Sequence, residues 1–249
     1  MGQQRSPLGV VELQLLAARG WRGVEQERLG DWLLRTGHGV TRRANSALVV
    51  GDPALPLPEA VDAVARWYDD RGLSPRAMLP GVQARPADAA FAAAGWVRDE
   101  PVLVLTAPLP ASGEPDVPVE LLSAPDVGWL ARYGLPGGPP PPGALGVLTS
   151  GTDVVFASVR PEPAPAPPVA IARGVLTDGW LGVAAVAVAE EHRRRGLATA
   201  LMAALTRWAA GHGAHSVHLQ VTAGNTAARA LYRRAGFIEH HRYHYRRRA

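Results

Sequence analysis

The sequence contains no cysteine and no lysine, so all 26 of its basic residues are arginine. The lack of cysteine excludes disulfides, thiolate nucleophiles, iron–sulfur clusters and cysteine-based zinc sites. The lack of lysine excludes Schiff-base chemistry and the phosphate-loop lysine, which disfavours phosphoryl transfer. No run of about 20 apolar residues and no secretory signal is present. We therefore expect a cytoplasmic protein with no membrane partner.

Basic charge is concentrated near the C-terminus. Residues 190–249 contain eleven arginines against three carboxylates, a net charge of +8, whereas the rest of the chain has fifteen arginines against nineteen carboxylates. Such a segment suits nucleic acid, an acidic membrane surface or a polyphosphate ligand, and charge alone does not choose among them.

A proline-rich stretch over 108–115 has the composition of a linker. We predict a first domain over 1–108, a linker over 109–116 and a second domain over 117–249. Each domain is expected to be an α+β unit, in which helices flank a mixed, mostly antiparallel sheet, because two-residue and helical periods alternate in both halves. The predicted helices are 8–19, 58–71, 87–94, 197–210 and 225–234. The predicted strands are 32–35, 47–50, 102–106, 117–122, 153–159, 169–176, 181–188, 217–221 and 237–245.

An internal repeat relates the two halves. Between residues 60 and 96, 8 of 37 positions are identical to those found 141 residues later, among them Trp67 with Trp208 and Gly72 with Gly213. Because both segments also share the same order of elements, we interpret them as copies of one fold.

The strongest motif runs over residues 186–199, from a strand through an arginine-rich loop into a helix. Backbone N–H groups at a helix N-terminus and the helix dipole favour an anion there, and Gly196 lets the main chain approach it. The guanidinium groups of Arg193, Arg194 and Arg195 are fork-shaped donors for further phosphate oxygens. A solvated helix start is the alternative reading.

Two polar residues follow on a predicted helix. Asn225 and Tyr232 are seven positions apart, or two helical turns, so both address the same side.

Together with Ala235-Gly236-Phe237, these motifs make residues 117–249 resemble the GNAT superfamily of acyl-CoA-dependent N-acyltransferases. The family loop reads Gln/Arg-x-x-Gly-x-Gly/Ala, which Arg193 to Ala198 match. The resemblance implies that the loop binds the pyrophosphate of coenzyme A and that two strand residues offer main-chain bonds to the pantetheine arm and acyl carbonyl. The residues so assigned to the cofactor are Val186, Val188, Arg193, Arg194, Arg195, Gly196, Leu197, Ala198, Thr199 and Asn225.

The resemblance also implies that Tyr232 is the general acid. When an amine attacks a thioester, charge builds on the carbonyl oxygen and then on sulfur, and a phenol suits the second position. A core aromatic is the alternative role. Many family members carry a glutamate early on the strand before the loop, which is absent here, so Glu190 is the nearest candidate base. A water chain or a residue of the first domain is equally compatible.

The first half lacks these groups. The shift of 141 residues puts Phe91 at the position of Tyr232, Ala84 at that of Asn225, and a proline-rich segment that contains Asp52 at the phosphate loop. Prolines remove donors, and a carboxylate repels phosphate. We predict a degenerate GNAT-like domain without cofactor, similar to the N-terminal half of tandem actinobacterial GNAT proteins, some of which are labelled N-acetylglutamate synthases.

The sequence thus predicts an enzyme that transfers an acetyl group from acetyl-CoA to a primary amine of a small molecule or peptide, with glutamate as one candidate. A non-catalytic acyl-CoA sensor or assembly module is the alternative. Nucleic-acid binding by residues 242–248 is a third hypothesis. We expect no nucleic-acid partner and no bound metal. Arg35, Arg42 and Arg43 either bind an acidic substrate or form surface ion pairs.

Overall fold

A computed structural model describes residues 8–110, 113–134, 140–161 and 166–248. The predicted linker over 109–116 therefore lies partly outside the described residues. The helices are α1 (Val10–Arg19), α2 (Leu57–Asp69), α3 (Arg85–Ala93), α4 (Val127–Arg132), α5 (Ala144–Leu148), α6 (Leu197–Gly211) and α7 (Thr226–Arg234). The strands are β1 (Glu25–Leu29), β2 (Trp32–Thr36), β3 (Ala47–Leu48), β4 (Arg76–Pro80), β5 (Val97–Arg98), β6 (Val102–Pro108), β7 (Glu120–Leu122), β8 (Asp153–Val159), β9 (Ala170–Thr177), β10 (Trp180–Val188), β11 (Ser216–Thr222) and β12 (Ile238–Arg247).

Most of the predicted elements are confirmed within a few residues, because their hydrophobic period is strong. Five of these helices and strands were missed, among them β5, which is only two residues long. β1 is polar at four of its five positions and mostly exposed, as an edge strand that faces solvent allows. β4 is short and ends in a proline, and α4 and α5 are only six and five residues long, too short for a helical period to emerge.

The described strands form one mixed sheet rather than a separate sheet for each half. Its order is β1-β2-β3-β4-β12-β6-β11-β10-β9-β8-β7, with β5 paired to β12. Only β3 with β4 and β10 with β11 are parallel pairs. Mixed pairing and flanking helices are as predicted.

The two halves are joined because they interleave their last strands. β12, from the end of the chain, lies between β4 and β6, and Tyr243 faces both Pro80 and Val102 in register. β6, from the first half, in turn pairs with the whole length of β11. The sequence could not reveal this exchange, since either strand satisfies the same two-residue pattern in either position. The division at residue 108 stays a prediction about folding units.

The internal repeat has a counterpart in the elements. A shift of 141 residues carries β4 into β11 and superposes the bounds of α3 on those of α7. It also carries the ring pair Phe91–Trp96, with centroids 4.8 Å apart, onto Tyr232–Phe237, at 5.6 Å. That the two segments are copies of one fold stays a prediction.

Each half has helices on both faces of the sheet. On β8 and β9, alternate residues enter different apolar clusters: Ala170 and Ala172 pack with Leu201 of α6, whereas Ile171 packs with Trp129 of α4. Burial of each such large apolar side chain contributes about 1.5–3 kcal/mol. The face opposite α6 is also where α1 packs.

The basic C-terminus is paired with acids of the first half. Asp88 accepts from Arg246 Nε at 2.7 Å and from His244 Nε2 at 2.8 Å. Farther along, Arg247 pairs with Asp99 and Arg248 with Asp69. Tyr243 and Tyr245, whose rings carried the nucleic-acid hypothesis, are 4% and 3% exposed. These buried rings are not available to stack on bases.

Within the described part of the chain, no helix combines the length and the apolar character that crossing a membrane requires.

Candidate acyl-transfer site

The site predicted from the sequence begins where two parallel strands separate. Pairing between β10 and β11 ends, within the described residues, at Val183 and Leu219. β10 then bulges, and Ala185 takes a φ of 55°. Val186 and Val188 follow in this segment. Beyond Val183, the backbone N–H and C=O groups on the edge of β10 that faces β11 therefore have no partners in β11.

The loop after β10 is open to solvent. Arg193, Arg194, Arg195 and Gly196 are all exposed. Two of them have a left-handed backbone, with φ values of 64° at Arg194 and 76° at Gly196. A Cβ added to Gly196 would meet no atom within 4 Å, so a ligand has room to approach the main chain there.

The start of α6 presents free donors at this loop. Its first hydrogen bond runs from the N–H of Ala200 to the carbonyl of Gly196 at 3.0 Å. The N–H groups of Leu197, Ala198 and Thr199 therefore have no acceptor within the helix. With the positive end of a 15-residue helix behind them, these donors and the three guanidinium groups suit a pyrophosphate.

Glu190 lies on this loop rather than among the strands. Its side chain is 87% exposed, and its carboxylate is 3.8 Å from Arg193 Nη1. The role of Glu190 as the general base remains a prediction.

Asn225 caps α7. Its Oδ1 accepts from the N–H of Ala228 at 3.0 Å, and the residue is exposed. The amide oxygen is therefore committed to the helix, and the amide nitrogen is left for the predicted contact with coenzyme A.

Tyr232 lies in the apolar cluster that α6 forms with the sheet. Tyr232 is 6% exposed and belongs to the same cluster as Leu197. Val186 and Val188 pack against that cluster. Burial raises the pKa of Tyr232 to about 12. Its hydroxyl has no hydrogen-bond partner among the described residues. The predicted acid, the split strand and the start of α6 therefore all contribute side chains to, or pack against, one apolar cluster.

His218 was not predicted as a site residue. It lies on β11 opposite Gly182 of β10, and an added Cβ on that glycine would be 2.9 Å from His218 Nε2. Its Nδ1 is buried without a partner. Burial, and secondarily the charge of Arg43, lowers the pKa of His218 to about 3. The alternating pattern of β11 marked it as facing away from α6, but only the strand register reveals the glycine that admits its ring.

Arg35, Arg42 and Arg43, which were predicted to bind an acidic substrate or to form surface ion pairs, lie in different environments. Arg35 is buried and donates to Ser46, Arg42 is exposed, and Arg43 lies 4.4 Å from the ring centroid of Trp21. None of the three forms an ion pair with a described residue. No group of three or more His, Asp or Glu side chains in the described ranges is arranged to hold a metal ion.

Similar solved structures establish the fold class. A GCN5-related N-acetyltransferase from Kribbella flavida superposes with a TM-score of 0.70, at 20% identity, over 97% of this chain and 96% of its own. A tandem GNAT protein from the clavulanic acid biosynthesis pathway superposes with a TM-score of 0.61, at 15% identity, over 99% of this chain and 90% of its own. The chain therefore has the GNAT fold.

Sequence relatives establish the family. Residues 10–246 match the family described as "Probable histone acetyltransferase Rv0428c C-terminal". The "Probable histone acetyltransferase Rv0428c" of Mycobacterium tuberculosis is 34% identical over 242 residues, 94% of this chain and 72% of that protein. The "Uncharacterized N-acetyltransferase YobR" of Bacillus subtilis is 27% identical over 94% of this chain and 97% of its own. The chain belongs to the Rv0428c C-terminal family and is an acyl-CoA-dependent N-acetyltransferase, which favours the enzyme over the sensor.

Proposed function

We propose that this enzyme transfers an acetyl group from acetyl-CoA to a primary amine of a small molecule or peptide in the cytoplasm. The observation that carries the proposal is the open start of α6, where unpaired N–H groups and three exposed arginines adjoin the separated strands β10 and β11. No other use of these groups is evident in the described structure.

The residues of the loop fit the diphosphate of coenzyme A. The N–H groups of Leu197, Ala198 and Thr199 point from the positive end of α6, and Gly196 leaves space before them. Arginine guanidinium groups add charge-assisted hydrogen bonds at the rim. The bound co-substrate supplies the acyl group as a thioester.

Two groups of the chain stabilise charge during transfer. The unpaired N–H groups near Val186 and Val188 donate to the acyl carbonyl as its oxygen becomes negative. Tyr232 donates its proton toward the departing sulfur. A pKa of about 12 keeps this phenol protonated until that charge develops.

A base must take the proton of the attacking amine, and two residues are candidates. Glu190 is exposed but lies beside Arg193 of the phosphate loop. His218 is neutral, because burial lowers its pKa, and lies on the strand that leaves β10 at the split. We propose to distinguish them by Glu190→Gln and His218→Asn. Loss of kcat in only one variant identifies the base.

The proposal is tested by calorimetric titration with coenzyme A, followed by a thiol-release assay with acetyl-CoA and a panel of amines that includes glutamate and polyamines. We expect binding, and turnover with at least one amine. Absence of binding, or binding mapped to the first half, would refute the proposal.

A further inference from the structure

Two arginines without counter-ions meet on the face of the sheet opposite α6. Arg173 of β9 and Arg43 of the loop between β2 and β3 both lie over the ring of Trp21, with guanidinium carbons 4.8 Å and 4.4 Å from its centroid. Trp21 is 3% exposed and is held by Thr41, whose Oγ1 accepts from its indole N–H at 3.1 Å.

Arg173 is fully buried, yet part of its guanidinium group has no partner. Nε donates to the carbonyl of Leu148 at 2.6 Å, and Nη2 donates to the carbonyl of Ser150. Nη1 is enclosed and makes no hydrogen bond. Burial, and then the like charge of Arg43, lowers the pKa of Arg173 to about 9.

No carboxylate of a described residue lies within ion-pair distance of either guanidinium group. A buried charge without a counter-ion costs several kcal/mol, and a second positive charge nearby increases that cost. A carboxylate is the natural partner, because its two oxygens match the planar donors of arginine. The unpartnered Nη1 of Arg173 and the guanidinium group of Arg43 therefore match the chemistry of a carboxylate.

The cluster adjoins the acyl-transfer segment. Arg173 is the register partner of Ala184, the residue at which the bulge of β10 begins. Ala184, Ala185 and Ala187 pack against the apolar cluster that contains Trp21. A carboxylate held here lies on the opposite face of the sheet from α6, next to the strand that orients the acyl carbonyl in the proposed mechanism.

We propose that Arg43 and Arg173, stacked on Trp21, bind a carboxylate of the substrate. This inference rests on the proposed function and narrows its substrate class: the acceptor is an amine that also carries a carboxylate. The acyl group is a second source of the same chemistry, since a dicarboxylic acyl chain would bring its carboxylate to the same strand.

A purely structural role is the competing explanation for Arg173, because its bonds to Leu148 and Ser150 secure the end of α5. Arg43 avoids this ambiguity. Its guanidinium group is only partly buried and forms neither a hydrogen bond nor an ion pair with a described residue. Arg42, its exposed neighbour, supplies the matched control.

The test compares wild type, Arg43→Gln and Arg42→Gln. With acetyl-CoA, we measure kcat/KM for free amino acids against their carboxamides, and for glutamate against glutamine. A second arm supplies succinyl-CoA with a neutral amine. We expect at least a tenfold preference for one acidic substrate, reduced tenfold or more by Arg43→Gln and unchanged by Arg42→Gln. The arm in which this preference appears identifies the source of the carboxylate.

Equal turnover of neutral and acidic substrates, unaffected by Arg43→Gln, would overturn the inference and leave the transferase function standing. If neither coenzyme A binding nor turnover is found, the proposed function fails, and direct binding decides the inference. Calorimetric titration with N-acetylglutamate should then give a Kd at least tenfold weaker in Arg43→Gln than in Arg42→Gln. Equal Kd values, or no heat with any of the three proteins, would exclude the carboxylate site.

Discussion

In each half, the helix that connects the two parallel strands begins in a different way. Before α6, the loop exposes arginines and unpaired N–H groups. Before α2, the N–H of Asp52 donates to Asp31 Oδ2 at 2.9 Å, and that of Ala54 to Asp52 Oδ1 at 2.8 Å. Pro56 caps this helix, and Pro58 follows in its first turn, so neither offers an N–H.

We propose that this difference decides which of the two helix starts can hold an anion. Asp31 and Asp52 supply internally the negative charge that a bound phosphate would supply, and they place a like charge in its way. The first half also lacks a proton donor at the position that corresponds to Tyr232. Phe91 occupies that position, is fully buried against Trp96 and has no hydroxyl. We therefore propose that only the second half binds coenzyme A.

The largest effect is expected at Tyr232. Tyr232→Phe should lower kcat about 10²- to 10³-fold, because the proton donor is lost. The unfolding free energy should change little, since the hydroxyl has no partner among the described residues. Steady-state kinetics and calorimetry with coenzyme A measure the two effects, and a wild-type kcat with normal binding would remove Tyr232 from the mechanism.

Phe91→Tyr is the matched control in the first half. Its new hydroxyl would be buried without a partner, which costs about 1–3 kcal/mol of stability, and no activity should be gained.

The glycines of the two loops should respond differently to alanine. Gly196→Ala puts a side chain into a left-handed backbone, a cost of about 1–2 kcal/mol, and narrows the approach to the main chain. We expect the Kd for coenzyme A to rise at least tenfold. At Gly51, with φ 72°, an added Cβ would lie 2.4 Å from Asp31 Oδ2. Gly51→Ala should therefore reduce stability and leave the Kd unchanged; the reverse result would place the cofactor in the first half.

Arginine charge on the loop should have a smaller effect. Arg195→Gln should weaken coenzyme A binding about fivefold, because exposed charge pairs contribute up to about 1 kcal/mol, and this difference should shrink as salt rises. Arg66→Gln, an exposed arginine on α2, serves as the control in the same titration. Equal losses in both variants would mean that general charge, not the loop, attracts the ligand.

The smallest effect concerns pH. The acid works in its protonated form, which is lost as pH rises through its pKa, and burial raises the pKa of Tyr232 to about 12. A phenol with an ordinary pKa of about 10 would lose half of kcat at pH 10. We expect kcat to show no such alkaline decline up to pH 10, measured at saturating substrates. A midpoint near 10 would argue that this ring is not the buried donor.

Local features could be predicted wherever neighbouring residues decide them. The loop before α6 and the helix that carries Asn225 and Tyr232 follow from spacing along a strand and two helices, whereas the capping role of Asn225 was not predicted. Glu190 was chosen as the candidate base because it was close in sequence, whereas His218 required the pairing of β10 with β11 to be known. Trp21 and Arg173 are 152 positions apart, and no local pattern connects them.

The sequence by itself determined most of the helices and strands, the spacing of the repeat and the arginine-rich helix start, because periodicity and local charge act over a few residues. Only the tertiary structure decided that β12 enters the first half, that its arginines pair with Asp88, Asp99 and Asp69, and that Arg43 and Arg173 share one aromatic ring. These contacts join distant parts of the chain. Their energies depend on burial and strand register, which no short segment encodes.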